Sequence, residues 1–331
     1  FILPIIATQC ICVTATFLFT WFQKFTMENK TVVTEFLLLG FSGDPTFQVF
    51  LFLFFLSIYL IILVGNMVII VVIRADPQLY TPMYFFLINL SFLDICFSSV
   101  TVPKMLQNLL ATKKTISLCG CIAQVFFFIF MFGTEIFLLS VMAYDRYAAI
   151  CYPLRYSTII NHRLCIQMVL AAWLSGFLDS SVNTLFLTNL HFCGPNNITH
   201  FSCELPLLLQ LSCTSSFANE MVILIFSMPL GFAALLLIIT SYVHIVGSIL
   251  KINSAKGRQK AFSTCVSHLT VVFLFCGTAL IRYMKPASGY SDTMDKLVSI
   301  QYSILTPMLN PIIYSLKNKD VKNALKKLFR K

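Results

Sequence analysis

The chain has 331 residues, of which 58% are hydrophobic and only 11% charged, with a mean hydropathy of +0.85. Soluble domains carry about 25% charged residues, so this composition excludes an ordinary soluble globule and describes a polytopic membrane protein. The formal net charge of +10 would suit nucleic acid in a soluble protein, but no basic, aromatic-interleaved domain is present to hold one, and no nucleic-acid partner is expected.

Phe1 to Phe22 is apolar and uncharged, does not begin with Met, and lacks the basic start of a signal peptide. Residues 1–26 are read as an extension outside the functional domain at 27–331, an extra hydrophobic anchor being the competing reading. Asn29-Lys30-Thr31 is a glycosylation sequon, which would require this end to face the lumen or exterior.

A helix of about 20 apolar residues crosses a bilayer, and the first such span is predicted at 49–73. Its Asn66 is expected to hydrogen-bond to a neighbouring helix, because an unpaired amide is costly in lipid. The second span, 82–102, carries Asp94 at a depth where a carboxylate is expensive and usually functional. The third, 119–147, contains Glu135, read as the only other acid at comparable depth. Two ionised acids in one bundle repel unless a cation lies between them or one holds a proton. Asp94 and Glu135 are therefore either a cation or proton site, or a hydrogen-bonded pair that only packs. Phe126, Phe127, Phe128, Phe130 and Phe132 make the start of this helix strongly aromatic, as a lipid-facing helix would also be. The helix ends in Asp145-Arg146, whose guanidinium stays charged and must reach the membrane face or be held by partners; a snorkelling arginine is the plain alternative.

The fourth span, 165–186, carries Trp173, read as packing. The segment from His191 to Ser216 holds Cys193, Cys203 and Cys213 and a second sequon, Asn197-Ile198-Thr199. Three cysteines in one loop suggest bridges in an oxidising space. The fifth span, 219–250, contains Pro229, a kink site, and approaches Lys251 through Tyr242. The sixth, 260–283, carries His268, read as a neutral hydrogen-bonded histidine rather than a titrating one. In the seventh, 297–316, Pro307, Asn310 and Pro311 free backbone carbonyls that side chains or water must satisfy; the helix either moves there or holds a static kink. At 318–329, Val321, Ala324, Leu325 and Leu328 recur at helical spacing among basic residues, which predicts an amphipathic helix lying on a membrane face. The fold class is an all-α membrane protein: a seven-helix bundle with a short C-terminal amphipathic helix.

Five stretches carry a family resemblance: MAYDRYAAICYPLRY from Met142, PMYFFLINLSFLD from Pro82, KAFSTCVSHLTVV from Lys260, PMLNPIIY from Pro307, and the loop pieces HFCGPN, HFSCELP and LSCTSS. Together they resemble olfactory receptors, a branch of the rhodopsin-like G-protein-coupled receptors, from about Met27 to the C-terminus. The resemblance implies bridges Cys121-Cys203 and Cys193-Cys213, with Cys119 left unassigned. It implies a switch made of Asp145, Arg146, Tyr147, Tyr242, His268, Asn310, Pro311 and Tyr314, and a possible sodium ion at Asp94 and Glu135, with no other cofactor. It implies a ligand set of Phe128, Ile129, Phe132, Gly133, Leu230, Cys276, Ala279, Tyr283, Ile300 and Ser303, with Tyr283 or Ser303 supplying polar specificity. Cys276 departs from the tyrosine usual in the family, which puts transfer of ligand or switch behaviour in doubt. Aminergic relatives hold cations with an acid where this chain has Phe128, so a small, neutral, lipophilic, volatile ligand is expected.

Fifteen of the 23 Lys and Arg residues fall on the side reached by Arg146, and the positive-inside rule puts that side and the C-terminus in the cytoplasm. The N-terminus then lies outside a plasma membrane, in agreement with glycosylation at Asn29 and Asn197. The expected partners are a volatile ligand, the bilayer and a heterotrimeric G protein of the stimulatory olfactory type, which raises cyclic AMP. A transporter would explain the two acids equally well, but no internal repeat is visible. No nucleophile-base pair or metal cluster suggests an enzyme.

Overall fold

The computed structural model describes residues 33–41, 43–193, 196–283, 292–316 and 319–328. The extension at 1–26 and the sequon at Asn29 lie outside them. Helix α1 spans Pro45–Ala75, α2 Pro82–Leu110, α3 Leu118–Cys151 and α4 His162–Thr188. Helix α5 spans Phe217–Leu250 and α6 Ala255–Tyr283. Helix α7 is made of Asp292–Ile300, a π-helical turn Gln301–Leu305, and Thr306–Leu316; α8 is Lys319–Leu328. The first five are long and apolar enough to cross a membrane, and α6 contains a shorter apolar stretch, Cys265–Thr278.

The helices run past the predicted spans, and three of them begin at side-chain caps. The Asp44 carboxylate accepts from the Phe47 N–H at 3.2 Å with Pro45 in the first turn of α1. Ser117 caps α3 and Asn161 caps α4 in the same way, at 3.1 and 2.8 Å. Helix α2 extends past the predicted span at 82–102, through Pro103, to Leu110.

Two prolines alter the helices in a specific way. Helix α5 contains a π-helical turn, Ile223–Ser227, and α7 its own, Gln301–Leu305. Pro229 and Pro307 follow each turn by two residues. A proline ring clashes with the carbonyl four residues earlier, here at Ile225 and Ser303, inside the widened turns. At Pro229, where a kink is expected, the structure has this π-helical turn.

The all-α expectation missed a small sheet at one end of the bundle. Strand β1 (Glu35–Leu38) pairs antiparallel with β2 (Thr115–Ser117) and parallel with β3 (Asn197–Ile198). It ties the segment before α1 to the loops before α3 and after α4, and buries Phe36 and Leu38 beside Cys121 and Cys203. At its edge Gly40 adopts a φ of +40°, a left-handed conformation natural to glycine. The Gly40 carbonyl accepts from Lys296 Nζ at 2.7 Å.

Helix α3 runs through the centre of the bundle. Helix α4 meets it along a stripe of mostly small buried residues, among them Cys165, Ala172, Gly176 and Ser180. At the opposite end from the sheet, α8 folds back against α1: Val321 and Ala324 are buried, and Lys327 Nζ donates to Asp76 Oδ2 at 3.0 Å. That lysine, ahead of a backbone hydrogen bond from Gln78, holds the Asp76 carboxyl below its ordinary value of 3.8.

Candidate ligand cavity and switch residues

A cavity of about 490 Å³ opens between α3, α4, α5 and α6. Six residues of the expected ligand set line it: Phe128, Ile129, Phe132, Gly133, Leu230 and Cys276. Helical spacing on α3 turns Phe128, Phe132 and Gly133 to this side together. Ile300 and Ser303 are not among its described walls. Ile300 packs toward the core around Phe55 and Ile62 instead, and Ser303 Oγ donates to the Ser299 carbonyl at 2.5 Å. Ala279 and Tyr283 lie on α6, but their side chains fall outside the described ones. Aromatic rings brace the cavity: Phe132 stacks on Phe275 with centroids 4.8 Å apart, and Phe128 meets Tyr302 edge-on at 5.5 Å. Trp173 packs edge-on against Phe130 at 5.5 Å.

The cavity contains a third membrane-depth acid, which the expectation of Glu135 as the only companion of Asp94 does not include. Asp179, on α4, lines the wall with Asn183 and Ser227. Ser227 Oγ donates to Asp179 Oδ1 at 2.6 Å, and Asn183 Nδ2 donates to the same oxygen at 3.0 Å and to Ser227 Oγ at 2.9 Å. These bonds tie α4 to the π-helical turn of α5.

Asp94 and Glu135 are both fully buried and close enough to act on each other electrostatically. Asn310 Nδ2 donates to both Asp94 oxygens, at 3.0 and 3.1 Å. Both Glu135 oxygens and Asn310 Oδ1 are buried without a hydrogen-bond partner among the described residues. Buried polar atoms are nearly always paired, and three orphaned oxygens near a second carboxylate are the donor chemistry a small hard cation takes. These residues fit sodium. Asn66, beside them on α1, donates to the Pro307 carbonyl at 3.1 Å, so the helix–helix contact expected of it also answers a carbonyl in the proline region of α7.

The remaining switch residues gather at the far end of α3. Asp145 makes no ion pair with its neighbour Arg146; its Oδ1 accepts from Tyr156 Oη at 2.7 Å, and burial first, then the Asp145 charge, push the Tyr156 phenol up. Arg146 is buried, and its Nε lacks a partner among the described residues. The snorkelling alternative therefore does not describe it. Its charge acts on Tyr242, His268 and Tyr314 from three surrounding helices. His268 Nε2 donates to the Leu139 carbonyl at 3.1 Å, which leaves Nδ1 to accept from Tyr242 Oη at 2.9 Å. Tyr314 Oη is buried without a partner among the described residues, and the Pro311 ring packs where α1 has Gly65. Tyr147 lies apart from this group, its ring against Tyr144, Tyr152 and His244.

At the sheet-bearing end both bridges are formed, Cys121–Cys203 and Cys193–Cys213, with Cα atoms 5.4 and 5.8 Å apart. Cys119 is unbridged. The loop held by Cys203 also buries Glu204, whose Oε1 accepts from Ser299 Oγ at 2.5 Å and Tyr302 Oη at 2.8 Å. No sequence motif drew attention to this contact with α7. Asn197, on β3, is exposed.

A family model described as olfactory receptor matches residues 55–331. The human olfactory receptor 5A2 is 50% identical over 300 residues, 91% of this chain and 93% of the relative. Human olfactory receptor 5I1 is 48% identical over 93% of this chain and 98% of its own length, and a dog olfactory receptor-like protein, OLF4, is 49% identical over 92% and 98%. Among solved structures, squid rhodopsin superposes with a TM-score of 0.63 over 88% of this chain and 87% of its own, at 20% identity, a likeness of fold.

Proposed function

Because this chain belongs to the olfactory receptor family, a class of non-enzymatic seven-helix signalling receptors, we propose that it binds a small lipophilic odorant in the cavity between α3, α4, α5 and α6 and activates a G protein of the stimulatory olfactory type, raising cyclic AMP. The observation that carries this reading is the cavity itself, walled mainly by apolar side chains and resting on the helix whose other end bears Arg146. Burying roughly 250 Å² of apolar ligand surface at about 25 cal/mol per Å² gives on the order of 6 kcal/mol, a dissociation constant in the tens of micromolar. Weak, broad recognition suits an odorant receptor.

The receptor sits in the plasma membrane with the sheet-bearing end outside and α8 inside. The charge distribution supports this orientation, fifteen of the 23 Lys and Arg falling on the Arg146 side; Asn29 and Asn197 then lie where glycosylation occurs. Activation follows from differential affinity: the odorant shifts the population only as far as it favours the open-cleft state. A second cavity, about 670 Å³, lies between α5 and α6, shares Leu235, Cys276 and Leu280 with the first, and reaches Tyr242. Ligand pressure on those shared residues moves α6 relative to α5, loosens the Tyr242–His268 bond and uncovers Arg146 for the G protein. Asp94, Glu135 and Asn310 would hold a sodium ion, which supplies the positive charge that lets both carboxylates stay ionised in the resting bundle.

The test is a panel of volatiles applied to cells carrying the full chain and a cyclic AMP reporter. A dose-dependent rise absent from mock-transfected cells supports the reading. Ion flux independent of G proteins, with no cyclic AMP change, would replace it with a channel.

A further inference from the structure

The expectation of a neutral ligand rested on Phe128 standing where aminergic relatives have an acid, but an acid reaches the cavity from another helix. Asp179 Oδ1 is already engaged by Ser227 and Asn183. No hydrogen bond reaches Oδ2 among the described residues, and this oxygen lies beside Gly133, 4.0 Å from where a β-carbon on that glycine would sit. Gly133 and Asp179 line the cavity together, and a side chain at Gly133 would come up against Oδ2. None of the described cavity walls is Lys, Arg or His, so the carboxylate has no counter-ion there. An ionised carboxylate only accepts hydrogen bonds. It complements a donor and opposes the lone pairs of an ether, aldehyde or ketone.

We propose that Asp179 Oδ2 is the polar anchor of the odorant cavity and selects lipophilic ligands that carry a hydrogen-bond-donating head group, a hydroxyl or an ammonium. This rests on the odorant-binding reading above and adds the head group. The tail lies against Phe128, Phe132 and Leu224; the head points to α4. Asn183 and Ser227 are positioning residues, holding the carboxylate so that its second oxygen faces the cavity. A hydrogen bond to a charged acceptor is among the stronger kinds, and a site built to pair with a donor rejects the isostere that lacks one because its own polar group is left unpaired.

The experiment compares four probes of matched length, 1-octanol, octylamine, octanal and methyl heptyl ether, on cells expressing the full chain with a cyclic AMP reporter and surface staining. One or both donor-bearing probes should act at least about tenfold more potently than octanal and the ether. Octanol alone identifies the hydroxyl as the head, octylamine alone the ammonium. Asp179→Asn keeps an acceptor toward Ser227 but gives the site an N–H of its own, so the octanal and ether responses should rise toward those of the donors at unchanged surface level. Ser227→Ala, which leaves the acid but removes one of the ties that aim it, should narrow the donor preference without raising the octanal and ether responses as Asp179→Asn does. Equal potency of all four probes, or a donor preference that persists in Asp179→Asn, overturns the proposal. Silence toward every probe and every member of the wider volatile panel fails the odorant reading itself, and the proposal with it.

Discussion

Gly176, the most closely approached of the described glycines, makes a prediction with two signs. At Gly176 on α4, an added β-carbon would lie 2.7 Å from the Phe130 carbonyl oxygen and 2.8 Å from the Thr134 nitrogen, and would press on Thr134 Oγ1 as well. Ordinary van der Waals contact begins near 3.4 Å, so Gly176→Ala demands that α4 retreat from α3 by roughly 0.7 Å. The obstacles include main chain of α3, which has no rotamer with which to give way. Overpacking of this kind costs about 1–3 kcal/mol. The displacement would also carry Asp179 away from Gly133, whose own β-carbon position is 3.2 Å from Gly176 Cα. The control is Gly247→Ala on α5, where nothing lies within 4 Å of the new carbon; there the substitution should be neutral or stabilising by up to about 1 kcal/mol through helix propensity. Thermal denaturation of both variants in detergent, followed by the fraction remaining monodisperse, reads the two signs directly. Equal melting temperatures for Gly176→Ala and the parent would refute the packing argument, as would a Gly247→Ala loss as large as that of Gly176→Ala.

Other consequences can be measured separately. Arg146→Ala should leave surface level and ligand binding near those of the parent while abolishing the cyclic AMP response; an undiminished response removes Arg146 from the switch. Cys203→Ser breaks the bridge that holds its loop to α3 and should prevent surface delivery, so normal staining of intact cells would count against a structural need for it. Asn310→Ala strips Asp94 of two hydrogen bonds, and bonds to a charged group are worth about 1.5–3 kcal/mol each; Asp94→Asn in the same background should recover part of the lost thermal stability, and strict additivity would show that the two side chains are not coupled. Lys327→Ala should loosen α8 at the end of α1 while Val321 and Ala324 still hold it, and modestly raise proteolysis of the tail in inside-out vesicles, with the cleavage rate as the readout. The Asp76 carboxyl is held below 3.8, so this link is complete at neutral pH and weakens only as pH falls below that value.

What could be read from the chain was decided by the range of the interactions involved. Long uncharged runs marked the spans, and whole motifs such as PMLNPIIY and MAYDRYAAICYPLRY marked residues that converge on Arg146. Asp94 and Glu135 stood out because a charge in an apolar run has no local explanation. Asp179 did not, because recognising it requires knowing which way α4 faces, and that helix's apolar residues surround it: Leu174 and Phe177 are exposed while Val169 and Leu187 are buried. The strands at the sheet-bearing end were invisible for another reason. They are two to four residues long, too short for alternation to register, and exist only because segments distant in sequence meet there. Ile300 and Ser303 entered the ligand set through the resemblance, but α7 turns them to other neighbours.

The widened turns in α5 and α7 have a consequence for anyone comparing this receptor with a relative by counting residues. Each inserts about one extra position into a repeat of 3.6, so everything beyond it is rotated by about 100° relative to a straight helix of the same numbering. In α5 that offset lies between Val222 and Tyr242, and in α7 between Ile300 and Asn310. An ungapped transfer of contacts from a helix lacking the turn will match one half of the rod and misassign the other, sending inward-facing positions to the lipid.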